Sequence, residues 1–342
     1  MIPFSGVDEP LLHGGELGAA RRLFPAAPKP FVDLSTGINP HPYPLPQFPA
    51  GLFARLPDPD AAQSLAGIAA KAYGAPSAAC VVPAPGTQIL LPLAAGLVRP
   101  GRAMVLSPTY SEHARAAALA GHAVTETGNI GDLADGDLAI VTNPNNPDGR
   151  LFAKSGLIAV AETLQARGGL LVVDEAFMDV APPGASLAAE VSRGNIVVLR
   201  SFGKFFGLAG LRLGFAIATP ALAARLAALL GPWAVSAPAL AVGGAALADR
   251  AWIEATRRTL AKKAARLDAI LAGRGLEIVG GTTLFRLVQT WAASDLFHSL
   301  GRAGILTRVF PDRAARLRFG LPGAEQDWQR LQIAMAALPN AS

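Results

Sequence analysis

A single cysteine, Cys80, stands in a chain of 342 residues. No disulfide can form within the chain, and no cysteine-based zinc site can be built; no metal site is expected. Cys80 precedes Val81-Val82, the setting of a small buried hydrophobe. Charge is also scarce. Asp, Glu, Lys and Arg make up 16% of the residues, and the net charge is only +5. The basic residues are scattered (Arg21-Arg22, Arg257-Arg258, Lys262-Lys263, Arg313 to Arg318) and are not interleaved with aromatics, so no nucleic-acid groove is expected. The N-terminus carries Asp8 and Glu9 and lacks the basic-then-apolar order of a secretory signal, which points to the cytoplasm. No internal repeat and no low-complexity linker is found. One charge-free stretch, 226–248, is long enough to span a bilayer. Pro232, Ser236, Pro238 and Gly243-Gly244 interrupt it, and no second span is at hand to satisfy the freed backbone groups. Two buried helices with a break between them are expected there, and no membrane.

What the chain does have is apolar surface. Half of its residues (51%) are hydrophobic, enough for a large interior. Its length suits one large domain, or a large and a small one. Residues 1–60 are rich in proline and glycine and poor in periodic pattern. Beyond them a helical pattern covers 61–73, and short β-branched runs then alternate with helical stretches. Strands are expected over 80–82, 104–107, 123–126, 138–142, 170–174, 196–201 and 213–218. Helices are expected over 87–98, 112–120 and 154–167. Such alternation implies an α/β domain with a mostly parallel sheet between helices. After about 235 a long helical stretch, 239–271, precedes strands at 277–279, 284–289, 306–309 and 317–320 and helices at 294–303 and 325–338. The expected division is an N-terminal arm over 1–50 joining a small domain, a large domain over 51–235, and a small α+β domain over 236–342.

Several motifs fall at the carboxyl ends of predicted strands, where open α/β sheets bind ligands. Pro85-Gly86-Thr87-Gln88 opens a helix whose N–H groups are offered to an anion, although many ordinary helices begin with Gly-Thr. The turn Asn143-Pro144-Asn145-Asn146-Pro147-Asp148-Gly149 is dense in residues that fix backbone shape. Asp174-Glu175-Ala176-Phe177 ends a buried run, and a carboxylate there is costly unless paired. A protonated pyridine nitrogen would pair it; so would a buried salt bridge. Lys204, in Arg200-Ser201-Phe202-Gly203-Lys204, has apolar neighbours that favour a reactive, neutral amine; the plain alternative is a surface lysine between apolar patches. Ser201 and Arg212 flank it within reach of a phosphate. Val198 rules out a Walker loop, and Gly207, Gly210 and Gly214 lack dinucleotide spacing.

In their order, Gly-Thr-Gln, Asn-Pro-Asn-Asn-Pro, Asp-Glu-Ala-Phe and Ser-x-x-Lys-x(7)-Arg-x-Gly resemble the fold-type I pyridoxal-phosphate enzymes, and among them the histidinol-phosphate aminotransferase group. The likeness runs from about His13 to Leu338. It implies pyridoxal 5'-phosphate as cofactor, bound covalently by Lys204. By the same resemblance Asp174 pairs the pyridine nitrogen, Asn146 hydrogen-bonds the ring oxygen, and Tyr110 stacks on the ring. Gly86, Thr87, Gln88, Ser201 and Arg212 fall in the segments that hold the cofactor phosphate. Lys204, Asp174 and Tyr110 form the catalytic set. Arg318, in Leu-Arg-Phe-Gly, matches an arginine that binds substrate carboxylate. Read without the resemblance, Tyr110 is a core aromatic and Arg318 a surface strand charge.

His13-Gly14-Gly15 and Asp33-Leu34-Ser35-Thr36-Gly37-Ile38-Asn39-Pro40 narrow the likeness to the threonine-phosphate decarboxylases of cobalamin biosynthesis. This branch implies a phosphorylated amino acid as substrate, with His13, Gly14, Gly37, Asn146, Arg308 and Arg318 around it. It also implies a homodimer. The alternative within the family is an aminotransferase for histidinol phosphate or an aromatic amino acid. The effector-binding part of a transcription regulator would need a helix-turn-helix segment ahead of the fold, where this chain is short and proline-rich. A ligand-binding protein without catalysis is opposed by Lys204. Three positions depart from the wider family: Phe177 and Leu56 stand where many relatives have tyrosine, and Gly203 where they have serine or threonine.

Overall fold

The computed structural model describes residues 13–338; Asp8 and Glu9 lie outside the described residues. The chain divides into two compact units. One comprises Pro42–Ala255, and the other the residues up to His41 together with those from Thr256 on. In chain order, α1 (Leu17–Leu23) and β1 (Val32–Asp33) belong to the second of these.

The unit Pro42–Ala255 holds α2 (Gly51–Ala54), α3 (Pro59–Tyr73), β2 (Val81–Ala84), α4 (Thr87–Ala95), β3 (Arg102–Leu106), α5 (Glu112–Leu119) and β4 (Ala123–Thr127). These are followed by β5 (Leu138–Thr142), α6 (Lys154–Gln165), β6 (Leu170–Asp174), β7 (Ile196–Ser201), α7 (Phe202–Phe205), β8 (Gly214–Ile217), α8 (Pro220–Leu230) and α9 (Ala237–Ala248). The seven strands β2 to β8 leave no predicted strand of this region unaccounted for. All seven form one sheet, in the order β2-β8-β7-β6-β5-β3-β4. Strand β8 runs antiparallel to β2 and β7, and every other pairing is parallel. The carboxyl ends of β2, β3, β5, β6 and β7 therefore share one edge, and β8 starts from it.

Central strands β5, β6 and β7 are buried along their whole length, which is why their sequences read as unbroken apolar runs. The edge strand β4 is largely exposed and carries Thr125, Glu126 and Thr127, polar side chains that suit an unpaired edge. Leu90, Leu91 and Ala94 of α4 pack with Val105, Ile140, Val172, Val197 and Leu199 in the core. Helix α3 starts with Asp58 accepting from the Asp60 N–H and with Pro59 at the first turn; it stops at Gly74, whose φ of 74° is left-handed.

The charge-free stretch 226–248 contains the end of α8 and all of α9, with a break after Leu230 as expected. No helix among the described residues is long and apolar enough to cross a membrane. The single helix expected over 239–271 is instead α9 and α10 (Arg250–Ala272). Asp249 divides them: its Oδ1 accepts from the Trp252 N–H at 2.9 Å, so it caps the second helix.

The other unit continues with β9 (Glu277–Thr282), β10 (Phe285–Gln289), α11 (Ala293–Arg302), β11 (Ile305–Leu306), β12 (Arg308–Val309), β13 (Arg316–Gly320) and α12 (Glu325–Ala336). Strands β12-β13-β10-β9 make an antiparallel sheet, while β11 pairs with β1 in parallel. The one strand expected over 306–309 thus divides at Thr307 between two sheets.

Candidate active site

The strand ends of the seven-stranded sheet bring the predicted cofactor residues to one edge. Ala84 of β2 and Ser201 of β7 are both register partners of Gly214, the first residue of β8. A Cβ on Gly214 would stand 2.8 Å from the Thr87 nitrogen, so glycine lets β8 begin against the start of α4. Gly86 caps that helix with a φ of 90°, and no side chain caps it. A Cβ on Gly86 would lie 2.8 Å from Nη2 of Arg212. Arg212 has left-handed backbone (φ 54°), a conformation non-glycine residues rarely adopt, and its Nη1 donates to the Ala209 carbonyl at 3.1 Å. An uncapped helix N-terminus and a guanidinium meet here, and both are electropositive. The place suits a dianionic phosphate, and the missing Cβ of Gly86 is what permits the approach.

Asp174 ends β6 and is 6% exposed. Its Oδ1 accepts from the Ala176 N–H at 3.0 Å, and its Oδ2 lies 3.1 Å from Nε2 of His113 on α5. No sequence motif marks His113. The direction of its hydrogen bonds follows from Asn145. That amide donates from Nδ2 to the Pro108 carbonyl at 2.9 Å and to Asp148 Oδ1 at 2.8 Å, so its Oδ1 accepts from the Thr109 hydroxyl at 2.9 Å. Thr109 therefore accepts from the Thr142 hydroxyl at 2.8 Å, and Thr142 in turn accepts from Nε2 of His113 at 3.0 Å. The proton of the imidazole is thus assigned to Nε2, facing Asp174 and Thr142. Nδ1 is buried without a hydrogen-bond partner. A carboxylate held on two sides in this way is suited to pair with a protonated ring nitrogen.

Tyr110 meets the His113 ring edge-on, with centroids 5.7 Å apart. Its hydroxyl donates to Oε1 of Gln88 at 3.1 Å, and Nε2 of Gln88 donates to Glu112 Oε2 at 3.0 Å. Glu112 can only accept, so it fixes which way the Gln88 amide points. The Gln88 side chain is thereby engaged in holding Tyr110, which leaves its backbone N–H as the group to offer a phosphate.

The loop after β5 is built by two of its three asparagines. Asn143 Oδ1 accepts from the Phe152 N–H at 2.8 Å, and Asn145 makes the contacts given above. The third, Asn146, is half-buried at the same sheet edge.

Lys204 lies in α7, one turn beyond Ser201. Its Nζ is 5.7 Å from the centroid of the buried Phe177 ring, so a π face stands where many relatives present a phenol. Gly203, the second departure, has a steric cause. A Cβ there would be 2.9 Å from Cα of Ala209. Leu56, the third, is exposed.

The predicted substrate residues lie in the other unit and also cluster. Arg308 of β12 and Arg318 of β13 are register partners. Nη2 of Arg318 donates to the Ser35 carbonyl at 2.8 Å. That same oxygen would be 2.5 Å from a Cβ on Gly14, and Ser35 Oγ accepts from the Gly15 N–H at 2.8 Å. The turn His13-Gly14-Gly15 is therefore fastened to the segment that contacts Arg318, and buried Gly37 follows two residues later. Burial and the neighbouring Arg308 push the Arg318 guanidinium down to about 9, with Asp33 offsetting part of this. Two adjacent cations, one buried, make a receptor for anionic groups. Among the described residues no group of His, Cys, Asp and Glu is placed to hold a metal.

A mostly parallel sheet with a lysine, a buried acid and an anion cradle at its carboxyl edge defines the aminotransferase fold class. The chain belongs to the aminotransferase class I and II family, whose model matches residues 49–338. Within that class it is similar to a threonine-phosphate decarboxylase of Pseudomonas aeruginosa, at 44% identity across 95% of this chain and 97% of that one. A threonine-phosphate decarboxylase of a Sinorhizobium species is 42% identical, over 96% and 98% of the two chains. Among solved structures, the histidinol-phosphate aminotransferase of Sinorhizobium meliloti, in complex with pyridoxal-5'-phosphate, superposes with a TM-score of 0.80. It covers 98% of this chain and 96% of its own at 22% identity, a likeness of fold.

Proposed function

We propose that this protein is a pyridoxal-phosphate-dependent decarboxylase that converts L-threonine O-3-phosphate to 1-amino-2-propanol O-2-phosphate and carbon dioxide in cobalamin biosynthesis. The observation that carries the reading is the pairing of Arg308 with Arg318, the latter fastened through Ser35 to His13-Gly14-Gly15. A substrate with both a phosphate and a carboxylate needs two cationic partners, and this sequence supplies them side by side.

Pyridoxal phosphate held at the sheet edge would supply an electron sink for the pair released at Cα. Lys204 binds it covalently, and Gly86, Thr87, the Gln88 N–H, Ser201 and Arg212 hold its phosphate. Asp174 keeps a proton on the ring nitrogen, with the Nε2–H of His113 holding the carboxylate in place. Tyr110, oriented by Gln88 and Glu112, would pack against the ring, and Asn146 would hydrogen-bond the ring oxygen. His13, Gly14, Gly37, Arg308 and Arg318 grip the anionic groups of the substrate. Their grip would orient the substrate at Cα, and so decide whether carboxylate or hydrogen leaves. The Lys204 amine then delivers a proton to Cα in place of the carboxylate, which balances the loss of carbon dioxide.

The two compact units serve as the large and small domains of this enzyme, and the protein works as a homodimer in the cytoplasm. Support for the dimer comes from an apolar groove lined by Leu52, Leu65, Ile68 and Leu240, beside the exposed side chains of Phe53 and Leu56. The test of function is incubation with threonine phosphate. Carbon dioxide release without formation of a keto acid is expected. Turnover of histidinol phosphate with 2-oxoglutarate, and none of threonine phosphate, would replace this reading with the aminotransferase one.

A further inference from the structure

Each of two site residues has a charged neighbour in sequence that the proposed chemistry does not use. Glu175 follows Asp174, and Arg200 precedes Ser201. Side chains alternate along a strand, so Arg200 and Ser201 point to opposite faces of the sheet. Glu175 stays in the ladder, its N–H donating to the Leu199 carbonyl at 2.8 Å.

These neighbours meet in the interior. Arg200 donates from Nη1 to Glu175 Oε2 at 3.2 Å and from Nη2 to Asp179 Oδ1 at 2.5 Å. Its Cζ lies 4.3 Å from the centroid of the Tyr73 ring. Glu175 also accepts from the Ser186 hydroxyl at 2.6 Å and the Leu187 N–H at 2.7 Å. Glu175 is 0% exposed, Arg200 4% and Asp179 7%. Burial pushes the Glu175 carboxyl up, while Arg200, Ser186 and Leu187 pull against it. Burial also opposes the charge of Arg200, but Asp179 and Glu175 outweigh it and hold the guanidinium charged.

Three buried charges are a poor device for stability, since desolvation consumes what their attraction returns. They are a good device for geometry, because the planar fork of arginine accepts few arrangements of two carboxylates. We infer that Arg200, gripped by Glu175 and Asp179, is a positioning group. It sets the slide of the β7 end against the β6 end, and with it the distance between Ser201 and Asp174. Those two residues would hold opposite ends of one rigid cofactor, so a small slip between the strands would loosen both contacts at once. This inference rests on the cofactor reading given above.

Arg200→Lys keeps the cation and gives up the fork, and Asp179→Asn keeps the fork and removes one of its two anchors. Each holoprotein is compared with wild type for its pyridoxal phosphate dissociation constant, the pH midpoint of its visible band, and its melting temperature. Both variants are expected to bind the cofactor about tenfold more weakly, with a displaced midpoint. Variants that melt lower while dissociation constant and midpoint stay at the wild-type values would reduce the cluster to a structural role and overturn the inference. A wild-type protein that binds no pyridoxal phosphate would instead sink the cofactor reading, and this inference with it.

Discussion

Nε2 of His113 and Oδ2 of Asp174 lie 3.1 Å apart, joining the first turn of α5 to the end of β6. The imidazole is 1% exposed and is directed by a chain of hydroxyls that ends at Asn145. A hydrogen bond to a charged group contributes about 1.5–3 kcal/mol, which is roughly 10- to 150-fold in a binding constant. His113→Ala should weaken pyridoxal phosphate binding within that range, read from absorbance titrations of the apoprotein. His113→Gln, which keeps an N–H donor, should recover part of the loss. Unchanged affinity in His113→Ala would show that Asp174 needs no such support.

Gly203 gives a prediction about packing. Restoring the serine common among relatives places a Cβ 2.9 Å from Cα of Ala209, a backbone atom that cannot rotate away. Gly203→Ser should lower stability by about 1–3 kcal/mol, as overpacked interiors do. Denaturant unfolding of the two proteins side by side measures this. Equal stability would mean that the 209 segment yields at no cost.

The pH dependence of substrate binding should carry the mark of Arg318. Its folded pKa lies near 9, well below the ordinary arginine value, because burial and Arg308 disfavour the charge. Between those values the unfolded chain binds more protons than the folded one. This group's contribution to stability therefore rises with pH across that window, and below it the full cost of a buried cation is present. Anion binding runs the other way: it needs the cation and should weaken as pH rises through about 9. KM for threonine phosphate, measured from pH 7 to 10, should climb at the alkaline end. Arg308→Met should raise KM throughout and also move the climb to higher pH, since one like charge is gone. A KM independent of pH over this range would count against Arg318 as an anion partner.

How far the sequence could be read follows the range of the interactions. Strands β5, β6 and β7 announce themselves because a strand buried on both faces must be apolar throughout. The motifs at their ends are local strings, so Lys204, Asp174 and the asparagine turn are visible in them. Asp249 gives no sign of a break, because one capping acid inside a helical pattern looks like any other charge. His113 was invisible for a different reason. Its partner Thr142 is 29 residues away, and only the register of β5 against β6 brings Thr142 level with Asp174. Of the two acids in Asp174-Glu175, Glu175 makes the buried salt bridge, with Arg200, and Asp174 faces the histidine.

The proposed chemistry turns on one amine. Purified protein incubated with pyridoxal phosphate should be yellow, lose its visible band on borohydride treatment, and carry the resulting mass tag on the peptide containing Lys204. A tag on another lysine, or a Lys204→Ala protein that is still labelled to the same extent, would contradict it.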